Sequence, residues 1–263
     1  MSPADLTPRF ELALSAAREA GRLTLTYFQS DSLAVELKAD DSPVTAADRQ
    51  AEQLLRQRIS EQFPDDAILG EEFGEQDGTS GYRWILDPID GTKSFIHGVP
   101  LYGTLVGVEH NRQSVIGVVV IPALDQCAYA MTGGGAWFSR GGAVPRPARV
   151  STCASLSEAL VCTSEVRFPT PRRQDAYGRL VQAARLNRTW GDCYGYLLVA
   201  TGQADVMLDP VMNLWDAAAL QPILVEAGGT LTDWQGNDTI YAGEAVATNG
   251  KLLQQVLAFT RGA

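Results

Sequence analysis

Two aspartates three positions apart, Asp87 and Asp90 in WILDPIDGTKSF, close an apolar run with Pro88 and Ile89 between them. Carboxylates that cannot avoid each other repel. Either one is pushed to a raised pKa, as in a catalytic acid pair, or a cation is held between them. Asp-Pro and Asp-Gly are also ordinary turn dipeptides, so a polar β-turn accounts for the same residues. Further acidic positions stand where apolar runs end or helices begin: Asp48, the pair Glu71 and Glu72, and Asp216. Taken singly, Asp48 and Asp216 can complement helix N-termini, and Glu71 and Glu72 can form a solvated acidic face. Taken together, oxygen ligands without His or Cys suit a hard cation such as Mg2+, which binds through carboxylates and substrate phosphate oxygens. Gly91 and Thr92 follow Asp90 and can offer backbone N–H groups and a hydroxyl to a phosphate at a helix start. The reaction class implied is metal-assisted phosphoryl transfer to water.

These residues need elements to carry them. Thr7 can cap a first helix with Pro8 at its first position, and Phe10, Leu14, Ala17 and Gly21 follow at helical spacing. After the polar stretch KADDSP, Thr45 and Asp48 form a capping-box-like pair, and Ala51, Leu54, Leu55 and Ile59 make one apolar stripe of a second helix. The runs AIL, YRWIL, LYGTLVGVEH, SVIGVVVIP and CAYAMT read as strands of a sheet with an antiparallel portion. Beyond GGG at 133–135 the pattern changes: EALVCT and ADVMLD alternate with the helical stretches YGYLLVATG and WDAAALQPILVEAGG, each followed by Gly. The second of these helices contains Pro222, which should kink it or displace a turn. An α+β half over 1–145 and an α/β half over 146–263 are expected, packed as one unit without a linker.

The 263 residues are 45% hydrophobic, enough for a large core. A net charge of −10 argues against a general nucleic-acid or anionic-membrane partner. Four scattered cysteines, with no C-x-x-C pair and only two histidines, argue against zinc and read as buried thiols of a reducing compartment. The first residues lack a basic segment followed by an apolar one, and no uncharged apolar run approaches ~18 residues. A soluble, cytoplasmic protein is expected.

GEE at 70–72, DPIDGT at 87–92 and WDAAAL at 215–220, with VTAAD at 44–48, resemble in order and separation the motifs of the inositol monophosphatase family. The resemblance runs from about Lys38 to about Asn249. It implies a layered α/β/α/β/α sandwich, Mg2+-dependent phosphomonoesterase activity, commonly a homodimer, and often inhibition by lithium. Carried over residue by residue, it implies that Glu71, Asp87 and the carbonyl of Ile89 hold one metal, and that Asp87, Asp90 and Asp216 hold a second. Glu71 would touch a third ion through water. A metal-activated water oriented by Thr92 and Glu71, with Asp48 nearby, would attack. Gly91 and Thr92 would bind the phosphate, Asp216 would also face the substrate, and no covalent phosphoenzyme would form. Glu72 is left as structural.

The motif centre contacts only phosphate and metal, so substrate choice rests on the segments around the leaving group. GTKSF and GDCYGY look like the histidinol-phosphatase branch of the family more than the inositol branch, which tends to have GTTNF and a small-residue G-[ST]-A-A. Histidinol carries a cationic amine, whereas inositol offers neutral hydroxyls. Asp192 and Asp209 lie where a carboxylate would suit an ammonium, and Tyr194 would add an aromatic face. Asp192 as a helix cap and Asp209 as a strand end are the structural alternatives. The reading is a histidinol-phosphate phosphatase of histidine biosynthesis. The alternatives are an inositol-1-monophosphatase, a broad sugar-phosphate phosphatase, and a catalytically silent binding module.

Overall fold

The structure is a computed structural model that describes residues 3–30, 34–38 and 43–263. Residues 39–42 of the polar stretch KADDSP lie outside the described residues. The chain opens with α1 (Pro3–Leu25) and a short antiparallel pair, β1 (Val35–Leu37) and β2 (Pro43–Thr45), before α2 (Ala46–Gln62). Helix α1 starts one turn earlier than Thr7 and Pro8 suggest. Pro8 sits inside it, where its missing N–H forgoes a single bond close to the helix start. The cap of α2 is as expected: Thr45 Oγ1 accepts the N–H of Ala47 at 3.1 Å, and Asp48 Oδ2 accepts the N–H of Thr45 at 2.8 Å.

An eight-stranded sheet follows: β3 (Ala67–Gly70), β4 (Gly74–Gln76), β5 (Tyr82–Asp90), β6 (Gly103–His110), β7 (Gln113–Ile121), β8 (Gln126–Met131), β9 (Ala136–Arg140) and β10 (Arg146–Pro147). Its order is β10-β9-β8-β7-β6-β5-β3-β4, with only the β3/β5 pair parallel. After β5 the chain passes at once through Gly91 into α3 (Thr92–Ile96). The second sheet has the order β12-β11-β13-β15-β14 and comprises β11 (Leu160–Cys162), β12 (Leu186–Arg188), β13 (Val206–Asp209), β14 (Thr230–Thr232) and β15 (Ala245–Thr248). Its helices are α4 (Pro171–Ala183), α5 (Asp192–Ala200), α6 (Leu214–Ala218), α7 (Leu220–Glu226) and α8 (Leu253–Thr260).

Strand alternation sorts the core into layers. Trp84, Leu86, Val106 and Val118 pack against α1 and α2. Ile85, Leu105 and Val119 face the other way, onto α5, α6, α7 and the Met207/Ala247 face of the second sheet. The opposite face of that sheet, with Val161, Val206 and Val246, packs on α4 and α8. The result is the expected α/β/α/β/α sandwich. Pro222 acts more strongly than a kink: the helix breaks at Ala219 into α6 and α7. Proline cannot donate to the carbonyl four residues back, and Ser114 Oγ takes that carbonyl, of Ala218, at 2.5 Å.

Candidate active site

Residues three apart on a regular strand point to opposite faces. Asp87 and Asp90 escape this rule through a β-bulge. Asp87 stands opposite Leu105 and Asp90 opposite Gly103, so three steps on β5 match two on β6. Pro88, with no N–H to lose, sits in the extra stretch, and its carbonyl accepts Thr104 Oγ1 at 2.8 Å. Both aspartates therefore face the middle helical layer, where α6 brings Asp216. Ligand oxygens of Asp87, Asp90 and Asp216 lie within 4.8 Å of one another. The segment is thus a bulge at a strand end, not a β-turn.

The cluster is strained by charge. Burial, then the charges of Glu71, Asp90 and Asp216, push Asp87 well above the usual carboxylate range. Burial, with Asp192 and Asp216, does the same to Asp90. Burial raises Asp216 to about 7. Such a donor set, all oxygen and crowded, fits a hard divalent cation.

Asp48 and Asp216 each spend one oxygen on capping a helix and keep the other. Asp216 Oδ2 accepts the N–H of Asn213 at 2.7 Å. Asp48 is fully buried, burial raises its pKa, and its Oδ1 has no partner among the described residues. An orphaned buried carboxylate oxygen is costly unless a donor or cation meets it. Glu71 stands apart from the three-aspartate group: its Oε1 receives Lys38 Nζ at 2.7 Å, and the same ammonium reaches Glu72 Oε1 at 2.6 Å. Burial raises Glu72 to about 7. Ile89 offers its carbonyl to Thr92 Oγ1 at 3.0 Å, and its N–H to Asp87 Oδ1 at 3.0 Å.

A cleft of about 610 Å3 opens over Glu71, Gly91 and Thr92 and runs past Asp192 to Ser164 and Glu165. Gly91 has φ 87°, and a Cβ there would meet Asp192 Oδ2 at 2.9 Å. The Asp192 carboxylate therefore lies directly against the start of α3, with burial raising its pKa while Lys93 and Ser94 oppose that rise. Asp209 also lines the cleft, but both of its oxygens are taken. Oδ1 accepts the N–H of Ser164 at 3.0 Å and Oδ2 the hydroxyl of Tyr196 at 2.9 Å; burial raises it to about 6. Tyr194 does not join this wall. Two residues past Asp192 on a helix is more than half a turn, and Tyr194 faces a separate hollow with Leu101, Trp190 and Leu198.

Four contributors escape the sequence reading. Lys38 bridges Glu71 and Glu72 with one ammonium. Glu52, fully buried on α2, accepts the N–H groups of Glu72 at 2.7 Å and Phe73 at 3.2 Å and so shapes the GEE turn; a Cβ on Gly70 would meet its carboxylate at 2.0 Å. Ser164 and Glu165 follow the C-terminal end of β11, the end of a sheet where ligand sites gather, which was the available signal. Of the four cysteines, Cys127, Cys162 and Cys193 are buried and Cys153 is half-buried, all with free thiols. No helix among the described residues is long and apolar enough to cross a membrane.

A sequence profile of the inositol monophosphatase family matches residues 5–262. The chain is 46% identical to the histidinol-phosphatase of Chlorobaculum parvum, with 96% of each chain covered. It is 39% identical to the histidinol-phosphatase of Mycobacterium tuberculosis, over 94% of this chain and 95% of that one. A solved structure of an inositol monophosphatase from Zymomonas mobilis superposes with a TM-score of 0.86 at 29% identity, covering 99% of both chains.

Proposed function

The chain belongs to the inositol monophosphatase family and is a phosphoric monoester hydrolase, and we propose that the ester it cleaves is histidinol phosphate. The observation that carries the hydrolytic site is the bulge at Pro88, which sets Asp87 and Asp90 on one face beside Asp216. These three carboxylates would hold one Mg2+, and Glu71, Asp87 and the Ile89 carbonyl another, with two or three ions in all. Bound there, Mg2+ supplies positive charge to the phosphoryl oxygens and lowers the pKa of a water.

The chain's own groups do the positioning. Thr92 and Glu71, both on the cleft wall, orient the attacking water. Asp48, within electrostatic reach of Glu71, keeps a free acceptor behind them. Gly91 and Thr92 take the phosphate. Asp192, pressed against Gly91, takes the ammonium of histidinol as the leaving group's anchor. Relatives named for histidinol phosphate at 46% and 39% identity support that choice. A homodimer, a cytoplasmic location in histidine biosynthesis, and lithium inhibition that weakens as Mg2+ is raised complete the proposal.

The test is a panel of phosphate monoesters compared by kcat/KM with Mg2+ and with EDTA. Histidinol phosphate should lead, and EDTA should abolish release. A preference for inositol 1-phosphate would overturn the substrate while leaving the hydrolase.

A further inference from the structure

The covalent structure of histidinol phosphate fixes the order of its contacts. The ammonium stands on the carbon next to the ester CH2, so its partner must lie beside the phosphate cradle. The imidazole stands farther out, on the other side of that carbon. Asp192, against Gly91, meets the first requirement. The cleft continues from Asp192 along Ser164, Glu165 and Arg167.

We infer that Glu165 receives an imidazole N–H of the leaving group, so that two carboxylates on one wall read the two basic ends of histidinol. This rests on the proposed substrate. The mount of Glu165 is stiff and tied to that of Asp192. Ser164 Oγ accepts the N–H of Asp192 at 2.7 Å, and Asp209 Oδ1 holds the N–H of Ser164 at 3.0 Å. Thr163 Oγ1 donates to the carbonyl of Glu165 at 2.8 Å and accepts its N–H at 3.3 Å. The carboxylate is oriented as well: Oε1 accepts the N–H groups of Val166 at 2.9 Å and Arg167 at 3.1 Å.

Oε2 accepts no hydrogen bond among the described residues. Glu165, exposed on the cleft wall, therefore presents one oriented acceptor in a cleft whose inner carboxylate, Asp209, has both oxygens bonded. An imidazole N–H matches an acceptor of this kind, and an imidazolium matches it better. An anionic substituent would instead meet Arg167 on the same wall. The two carboxylates would thus have separable effects, because one group reads the amine and the other reads the ring.

Three esters separate them: histidinol phosphate, 2-aminoethyl phosphate, which keeps the ammonium without the ring, and glycerol 2-phosphate, which has neither. Glu165→Gln in the full chain with Mg2+ should raise KM for histidinol phosphate about tenfold, with kcat within about twofold and the other two esters unchanged. Asp192→Asn should weaken histidinol phosphate and 2-aminoethyl phosphate alike, and both more than glycerol 2-phosphate. An unchanged KM for histidinol phosphate in Glu165→Gln, or an equal loss on 2-aminoethyl phosphate, overturns the inference. Failure of the substrate proposal shows separately, as a wild-type enzyme with no preference for histidinol phosphate over the other two.

Discussion

The backbone N–H of Cys193, second residue of α5, donates to Oδ2 of Asp90 at 2.5 Å. Asp90 belongs to the eight-stranded sheet and Cys193 to the middle helical layer, so this bond fixes the bulged strand end against the layer that also supplies Asp216. It leaves the other oxygen of Asp90 for the cluster. Close packing accompanies it: a Cβ on Gly103, the bulge partner of Asp90, would meet Cys193 Sγ at 2.5 Å.

An amide at position 90 can still accept from Cys193, so Asp90→Asn should keep the fold while removing one charge from the cluster. Mg2+-dependent phosphate release should fall by at least about a hundredfold. Melting in EDTA should hold or rise, since like-charge crowding is relieved. A variant with full Mg2+-dependent turnover would return Asp90 to a purely structural part in the bulge.

Proton linkage gives a second expectation. Asp216, pushed from 3.8 to about 7 chiefly by burial, holds its proton more tightly in the metal-free fold than in the unfolded chain. A raised carboxyl pKa stabilises the fold below the unfolded value, and that stability is lost as pH rises through the folded one. The Tm in EDTA should therefore decline from near pH 3.8 towards about 7. Asp87 and Asp90, raised by burial and by their neighbours, extend the decline. Saturating Mg2+ should flatten it, because a cation favours the ionised forms. Asp216→Asn removes one titrating group, so the Tm of wild type minus variant should slope across this window. A flat difference would sink the assignment.

How much of this was legible depended on the range of the interactions. The Thr45/Asp48 cap is a matter of three neighbouring residues, and it was readable. The strands were readable from alternation and turn residues. The bulge at Pro88 was not, because DPID satisfies a turn equally well and only the register against Leu105 and Gly103 decides. Lys38 and Glu52 carry no local signal, since their partners lie 33 and 20 residues away. The partner that meets the carbonyl of Ala218, left free by Pro222, is Ser114, 104 residues distant. Tyr194 is a different case: helical periodicity alone separates it from Asp192.

Glu52 carries the GEE turn, and its removal should be felt at both stability and metal. Glu52→Ala leaves the N–H groups of Glu72 and Phe73 and the guanidinium of Arg56, now 2.7 Å from Oε1, without their acceptor. Breaking a buried pair of this kind costs about 3 kcal/mol or more, read as a lower midpoint in urea. Because Glu71 moves with the turn, the Mg2+ concentration for half-maximal activity should rise. Unchanged Mg2+ dependence in a destabilised variant would confine Glu52 to folding.

Asp192 and Asp209, both on the leaving-group wall, should part company. Asp209 spends one oxygen on Ser164 and the other on Tyr196, so Asp209→Asn disturbs a buried strut. It should lower stability by about 1–3 kcal/mol and reduce kcat/KM for every ester to a similar degree. Asp192 is held through its backbone by Ser164, and its carboxylate lies against Gly91 at the cleft surface. Asp192→Asn leaves the phosphate-binding and metal-ligating side chains in place; it removes the charge that faces an ammonium and, with it, part of the repulsion on Asp90. A charge-assisted bond is worth roughly 1.5–3 kcal/mol, so kcat/KM for histidinol phosphate should fall about tenfold to a hundredfold, and more than for glycerol 2-phosphate. If instead Asp209→Asn proves the selective variant and Asp192→Asn the general one, the carboxylate at Gly91 serves the fold of α3 and the amine is read deeper in the cleft.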